Sequence, residues 1–144
     1  MDYVDPSQGD YLYDDRGRSG GLAEKTSFVI AGDLNADPHD GGSHPGAIRQ
    51  LLDHPLVHGD LRLTSAGAAV SASSGAANAG QLGPPDEDTG SFPRGPGNLR
   101  IDYVLPSRDL EVRSGGVFWP TPDELGSDLI TASDHRLVWV DVVR

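Results

Sequence analysis

The segment "HRLVWVDVV", residues 135–143, carries apolar side chains on both faces of an extended chain. Leu137 and Trp139 fall on one side, and Val138, Val140 and Val142 on the other. A strand of that kind is expected to be central in its sheet and covered on both sides. Residues 27–31 form a shorter apolar run without alternation, so the same burial is expected there. "LRIDYVLPS", residues 99–107, reads as a further strand, ended by Pro106. "EVRSGGVFWP", residues 111–120, reads as one or two short strands broken at Gly115 and Gly116. Between the first two runs, "HPGAIRQLLDHPLV" is the best helix candidate. Pro45 suits a first turn, Ala47, Ile48, Leu51 and Leu52 follow helical spacing, and Pro55 should stop it.

What joins these elements is irregular. Residues 1–25 read as a polar lead-in segment, with residues 26–144 as the folded part. The N-terminus has no basic start and no apolar stretch, so no signal peptide is expected in it. Residues 66–98 are rich in Gly, Ala, Ser and Pro and poor in large apolar groups. They read as a long surface loop with one short helix near residues 68–77. Hydrophobic residues are only 36% of the 144, which fits a real core with long connections. No apolar run reaches the length of a membrane span. There is no cysteine, which removes disulfides and thiolate metal sites. The formal net charge is -11, and backbone affinity for nucleic acid comes mainly from Lys and Arg, so tight non-specific duplex DNA binding is not expected. An acidic protein can still handle a phosphate when divalent cations neutralise both sides.

Each strand brings an acid with it. The first ends in "GDLN", and in extended structure Asp33 and Asn35 would point the same way. The second carries Asp102 between Ile101 and Tyr103, where a carboxylate is costly unless paired or hydrogen-bonded. The third is entered through "SDHR", with Asp134 and His135 adjacent. If the strands are neighbours in one sheet, these groups converge. Such a set suits metal-assisted phosphoester hydrolysis. Oxygen ligands fit Mg²⁺, which is usually held by one or two carboxylates, waters and substrate phosphate. A carboxylate can orient or deprotonate water, an Asn amide can donate to a phosphate oxygen, and an imidazole can polarise the phosphoryl group. Asp102 is the expected partner of the imidazole's other nitrogen. Taken singly, each residue has an ordinary reading as turn or cap chemistry. Together, in this order on three strands, they favour a site.

"VIAGDLNADP", "LRIDYVLPS" and "SDHRLVWVDV" resemble the C-terminal signatures of the endonuclease/exonuclease/phosphatase superfamily, the DNase I-like fold, and look most like a group of its bacterial members. The resemblance spans roughly residues 27–144. It implies the C-terminal part of a DNase I-like α/β sandwich, with a mixed β-sheet, flanking helices and long loops. It also implies a divalent-metal-dependent phosphoester hydrolase of phosphodiesterase, phosphatase or nuclease type. By motif position Asp33 matches the residue that positions or activates the attacking water, and Asn35 the one that contacts the scissile phosphate. Asp102 matches the partner of the catalytic His, His135 that His, and Asp134 a metal-associated carboxylate, with Asp33 also near the metal. The implied ion is Mg²⁺, with Mn²⁺ or Ca²⁺ as alternatives, and the implied partner is a phosphoester substrate of unassigned class.

Superfamily members also carry an N-terminal half with an Asn and a metal-binding Glu on its strands, and nothing of that kind precedes Ser27. The chain is therefore expected to supply one sheet and half the site, either as a piece of a longer product or with the remainder coming from a partner. Two readings follow: a hydrolase incomplete as this chain, or a non-catalytic half-domain or binding module that needs a partner chain. Either leads to an expectation of self-association through uncovered apolar surface.

Other candidates are weaker. Asp37, His39, Asp40 and His44 lack the full EF-hand pattern and read as a solvated loop. His54 and His58 lie near the helix end, where they complement its dipole. "GPPDEDTG" reads as a solvated acidic tip. Ser133, Asp134 and His135 are sequential rather than a spatial triad, and no G-x-S-x-G elbow, Rossmann or P-loop fingerprint is present.

Overall fold

The computed structural model describes residues 1–44 and 46–144. Pro45, expected in a first helical turn, lies outside the described residues. Among the described residues, six short strands form three two-stranded antiparallel ladders. β1 (Val29–Asp33) pairs with β4 (Asp102–Pro106), β2 (Gly90–Phe92) with β3 (Gly97–Leu99), and β5 (Glu111–Phe118) with β6 (Leu137–Val143). Mixed helix and strand content with small antiparallel sheets fits an α/β fold. The expected single mixed sheet is corrected to these three separate ladders, all of them antiparallel.

The β1–β4 ladder packs one face on a core of Ile48, Val57, Tyr103 and Leu105, joined by Phe28, Ile30, Leu51 and Leu52. Alternation sets this up: Tyr103 and Leu105 point inward, while Val104 is only half-buried. The expected burial of the first strand on both faces is not found. Val29 is 47% exposed and Ala31 is also exposed, because β1 has one ladder partner and a core on one side only. The second core gathers Leu63, Ala68, Val117 and Trp119, with Val138 and Val140 from β6. On the opposite face of β6, Leu137 is 66% and Trp139 44% exposed, so that strand too is covered on one side.

The helix candidate is shorter than its pattern. α1 spans Arg49–Leu52 only, because Gly46 weakens the first turn and His54, before Pro55, disfavours the last. Its apolar positions still point as expected: Ile48 is buried and Leu51 and Leu52 join the core. β5 runs unbroken through Gly115 and Gly116, with a bulge between Val112 and Ser114. A Cβ at Gly115 would stand 2.7 Å from Leu63 and 2.9 Å from the Trp139 carbonyl, so the glycine admits a close approach rather than ending the strand.

Residues 66–98 are more ordered than a surface loop. α2 (Ala66–Ser73) starts at Ser65, whose Oγ accepts the Ala68 N–H at 3.1 Å. Gly67 and Ala68 are buried, and a side chain at Gly67 would collide with the Trp119 and Pro120 carbonyls. Smallness, read as a lack of core-forming capacity, is what lets this helix sit on the Trp119 backbone. Short 3₁₀ turns at Ala76–Asn78 and Pro85–Glu87 lead to the β2–β3 hairpin. Residues 1–25 contain turns and an isolated Tyr13–Ser19 bridge, tied internally by bonds such as Tyr11 Oη to Asp2 at 2.6 Å. Among the described residues, no helix is long and apolar enough to cross a membrane.

Candidate functional site

The acidic strand ends come from two separate ladders. Asp33 lies directly across from Asp102 in the β1–β4 register, which puts both side chains on one face. β6 belongs to another sheet, but His135, two residues before it, is carried beside β2 by the isolated Gly90–His135 bridge. His135 thereby reaches Asp102: Nδ1 stands 3.1 Å from Oδ1 and 3.0 Å from Oδ2. The carboxylate accepts the Nδ1 proton, which leaves Nε2 on the open side of the ring. Asp134 Oδ1 is 4.0 Å from Nε2. The hydrogen bond to Asp102 is the largest influence and holds the imidazole's pKa above its ordinary value; burial opposes it, and the charges of Asp102, Asp33 and Asp134 add to the rise. Phe92 presents an edge-on contact to the His135 ring, with centroids 5.8 Å apart.

Asn35 departs from the expected geometry. The strand ends at Asp33, Asn35 takes a left-handed φ of 49°, and its N–H donates to Asp33 Oδ1 at 2.8 Å. The chain turns here, so strand alternation does not set the direction of the amide. Asn35 instead lines a shallow depression with Asp37, Gly41, Pro96 and Ile101. The loop beyond it is exposed at His39, Gly41, Gly42 and His44, as expected, but its two carboxylates anchor it. Asp37 accepts the N–H groups of His39, Asp40 and Arg100, and Asp40 those of Leu82 and Gly83. His58 is tied to the Leu110 carbonyl at 3.0 Å, and His54 approaches Asp5 at 3.9 Å.

The acidic tip at residues 83–90 corrects another expectation, because Glu87, Asp88 and Thr89 are buried. Glu87 joins Arg62 and Arg100, each at 2.6 Å, so its charge enters the fold already paired. Thr89 reaches the site itself. Its hydroxyl donates to Asp102 Oδ2 at 2.9 Å, and its carbonyl accepts the Arg136 N–H at 2.7 Å. Arg136 stacks on Trp119 at 4.3 Å and donates to the Ser133 and His135 carbonyls, bracing the turn that presents Asp134 and His135. Burial pushes its pKa down. Neither residue stood out in the sequence. A Thr after "DED" and an Arg after His carry no pattern of their own, and only the fold brings them to the pair.

Metal-ligating geometry is sparse. Among the described residues, no group of three or more His, Cys, Asp or Glu side chains is arranged to hold a metal ion. The exposed carboxylates of Asp33 and Asp134 are hard oxygen donors, which fits Mg²⁺ in chemistry, and their number fits an ion completed by waters and substrate phosphate.

The model of the Endonuclease/Exonuclease/phosphatase family matches residues 2–135, most of the chain and all the site residues up to His135. No curated protein and no solved structure matches it.

Proposed function

This chain belongs to the endonuclease/exonuclease/phosphatase family, and on that premise we propose that it is a divalent-metal-dependent phosphoester hydrolase with His135, Asp102, Asp33 and Asn35 as its working groups. The observation that supports this best is the imidazole of His135 held by both oxygens of Asp102, with Asp33 across the ladder on the same face. Asp102 fixes the ring and its tautomer. His135, protonated to higher pH than a free imidazole, offers Nε2–H to a non-bridging phosphate oxygen as charge builds there. Asp33, solvent-exposed beside it, orients the attacking water and takes its proton. Asn35 donates its amide to the phosphate. Asp134 and Asp33 would hold Mg²⁺ or Mn²⁺, and the ion would neutralise phosphate charge. Phosphodiester, phosphomonoester and nuclease-type substrates all fit this chemistry.

The test is release of product from a generic phosphodiester such as bis(p-nitrophenyl) phosphate with Mg²⁺ or Mn²⁺. His135→Ala and Asp33→Ala should each lower the rate by about 100-fold or more. A wild type as inert as its variants would rule the proposal out. The uncovered face of β6, with Leu137, Trp139 and, across the ladder, Phe118 exposed, favours a second reading: a module that works only when a partner covers that face. Inert wild type and variants would leave that second reading standing.

A further inference from the structure

We propose that Thr89 is a positioning residue for the Asp102–His135 pair, a role that rests on the hydrolase reading above. Thr89 is 2% exposed, and every hydrogen-bonding capacity of its hydroxyl is used. Oγ1 accepts the N–H groups of Ile101 at 3.0 Å and Asp102 at 2.9 Å. With both acceptor positions filled, the single hydroxyl proton goes to an acceptor. Asp102 Oδ2 at 2.9 Å is the near one, and the Leu99 carbonyl, at 3.5 Å and already holding the Thr89 N–H, is the far one. The backbone completes the clamp. The Thr89 carbonyl holds the N–H of Arg136, and Ser91 N–H holds the Asp134 carbonyl. One residue thus fixes the main chain and the carboxylate of Asp102 while its flanks fix the segment carrying His135.

The consequence concerns the carboxylate's rotation. The two Asp102 oxygens lie almost equally far from Nδ1, so the His135 bond alone does not choose between them. The Thr89 hydroxyl ties Oδ2 and stops the carboxylate swinging away from the ring. Small misplacements of this kind carry large kinetic costs, because reacting groups must be held to within a fraction of an ångström.

Thr89→Val and Thr89→Ser separate positioning from folding. Proton NMR of the whole chain reads the His135 Nδ1–H resonance, and steady-state kinetics on the generic phosphodiester reads kcat and KM. In Thr89→Val the resonance should move upfield and broaden, and kcat should fall roughly 10- to 100-fold at unchanged KM. Thr89→Ser should restore both. A folded Thr89→Val protein with the wild-type resonance and kcat would overturn the proposal. If Thr89→Val does not fold, the wild-type protein decides. A slowly exchanging Thr89 hydroxyl proton that shifts in Asp102→Asn supports the clamp, and its absence overturns it. If the wild type hydrolyses nothing while the His135 resonance still answers to Thr89, the hydrolase reading fails and the clamp does not.

Discussion

Replacing Asp88 with Asn should make the folded chain more stable, by an amount that grows as the pH rises from about 4 to about 7 and then levels off. Asp88 is 7% exposed and lies near Asp37, Asp40, Asp86 and Glu87. Burial first, and then those four charges, push its pKa from 3.8 up to about 7. The sign follows from proton linkage. Below the unfolded value both states hold the proton, and Asp88 costs nothing. Between the two values the folded state keeps a proton that the unfolded chain releases, so stability falls as pH rises through that window and stays low above it. Taken at face value the shift corresponds to about 4 kcal/mol. The neighbouring carboxylates act partly through solvent, so the expected share is about 2 kcal/mol. Asn at this position keeps the shape, removes the charge and can donate to the carboxylates around it. Urea unfolding of wild type and Asp88→Asn at about pH 4 and about pH 8 measures the difference directly. The two should agree within about 0.5 kcal/mol at the lower pH, and the variant should gain about 2 kcal/mol at the higher. Equal stability at both pH values would refute the reasoning, as would a gain that does not depend on pH.

Glu87→Gln should destabilise the fold by about 3 kcal/mol in thermal or urea unfolding, because it breaks a buried carboxylate's pairing with Arg62 and Arg100; a loss below about 1 kcal/mol would mean the pair is solvated. Tyr103→Phe should cost about 1–2 kcal/mol, since the single proton of the Tyr103 hydroxyl is shared between the Ala36 and Arg100 carbonyls, each 2.8 Å away, and the variant leaves both without it. Gly67→Ala should unfold more easily by about 2 kcal/mol, as its methyl meets the Trp119 and Pro120 carbonyls; a neutral effect would place α2 further from that backbone. Leu137→Ser, on the uncovered face of β6, should change stability by less than about 1 kcal/mol in the same assay, whereas a core-sized loss would show that the face is covered in solution.

The parts of this architecture that were legible in the sequence are those set by local pattern. The apolar runs at β1, β4 and β6 gave their approximate positions, and Ile48, Leu51 and Leu52 pointed inward although the helix around them shrank to Arg49–Leu52. The pairing of Asp102 with His135 follows from two needs: a carboxylate in an apolar strand requires a partner, and a working imidazole requires an acceptor for its other ring nitrogen. What escaped was set by contacts distant in sequence. Residues 66–98 read as loop because small residues bury little surface, yet Gly67 and Ala68 are buried because smallness admits the Trp119 backbone. The acidic tip read as solvated because Arg62 and Arg100 are far from Glu87 in sequence. Asn35 followed turn chemistry, with a left-handed φ, where strand alternation suggested otherwise. Apolar side chains without alternation suggest burial on both faces of β1 and β6, and in this chain one face of each meets no layer.

The most direct test of the site is the ionisation of His135, followed by NMR in the metal-free wild type and in Asp102→Asn and Asp33→Asn. The wild-type imidazole should titrate above the ordinary value of 6.5. Removing the Asp102 charge should bring it down furthest, and removing the Asp33 charge less. An imidazole that titrates like free histidine and ignores both substitutions would mean that these groups do not meet in solution.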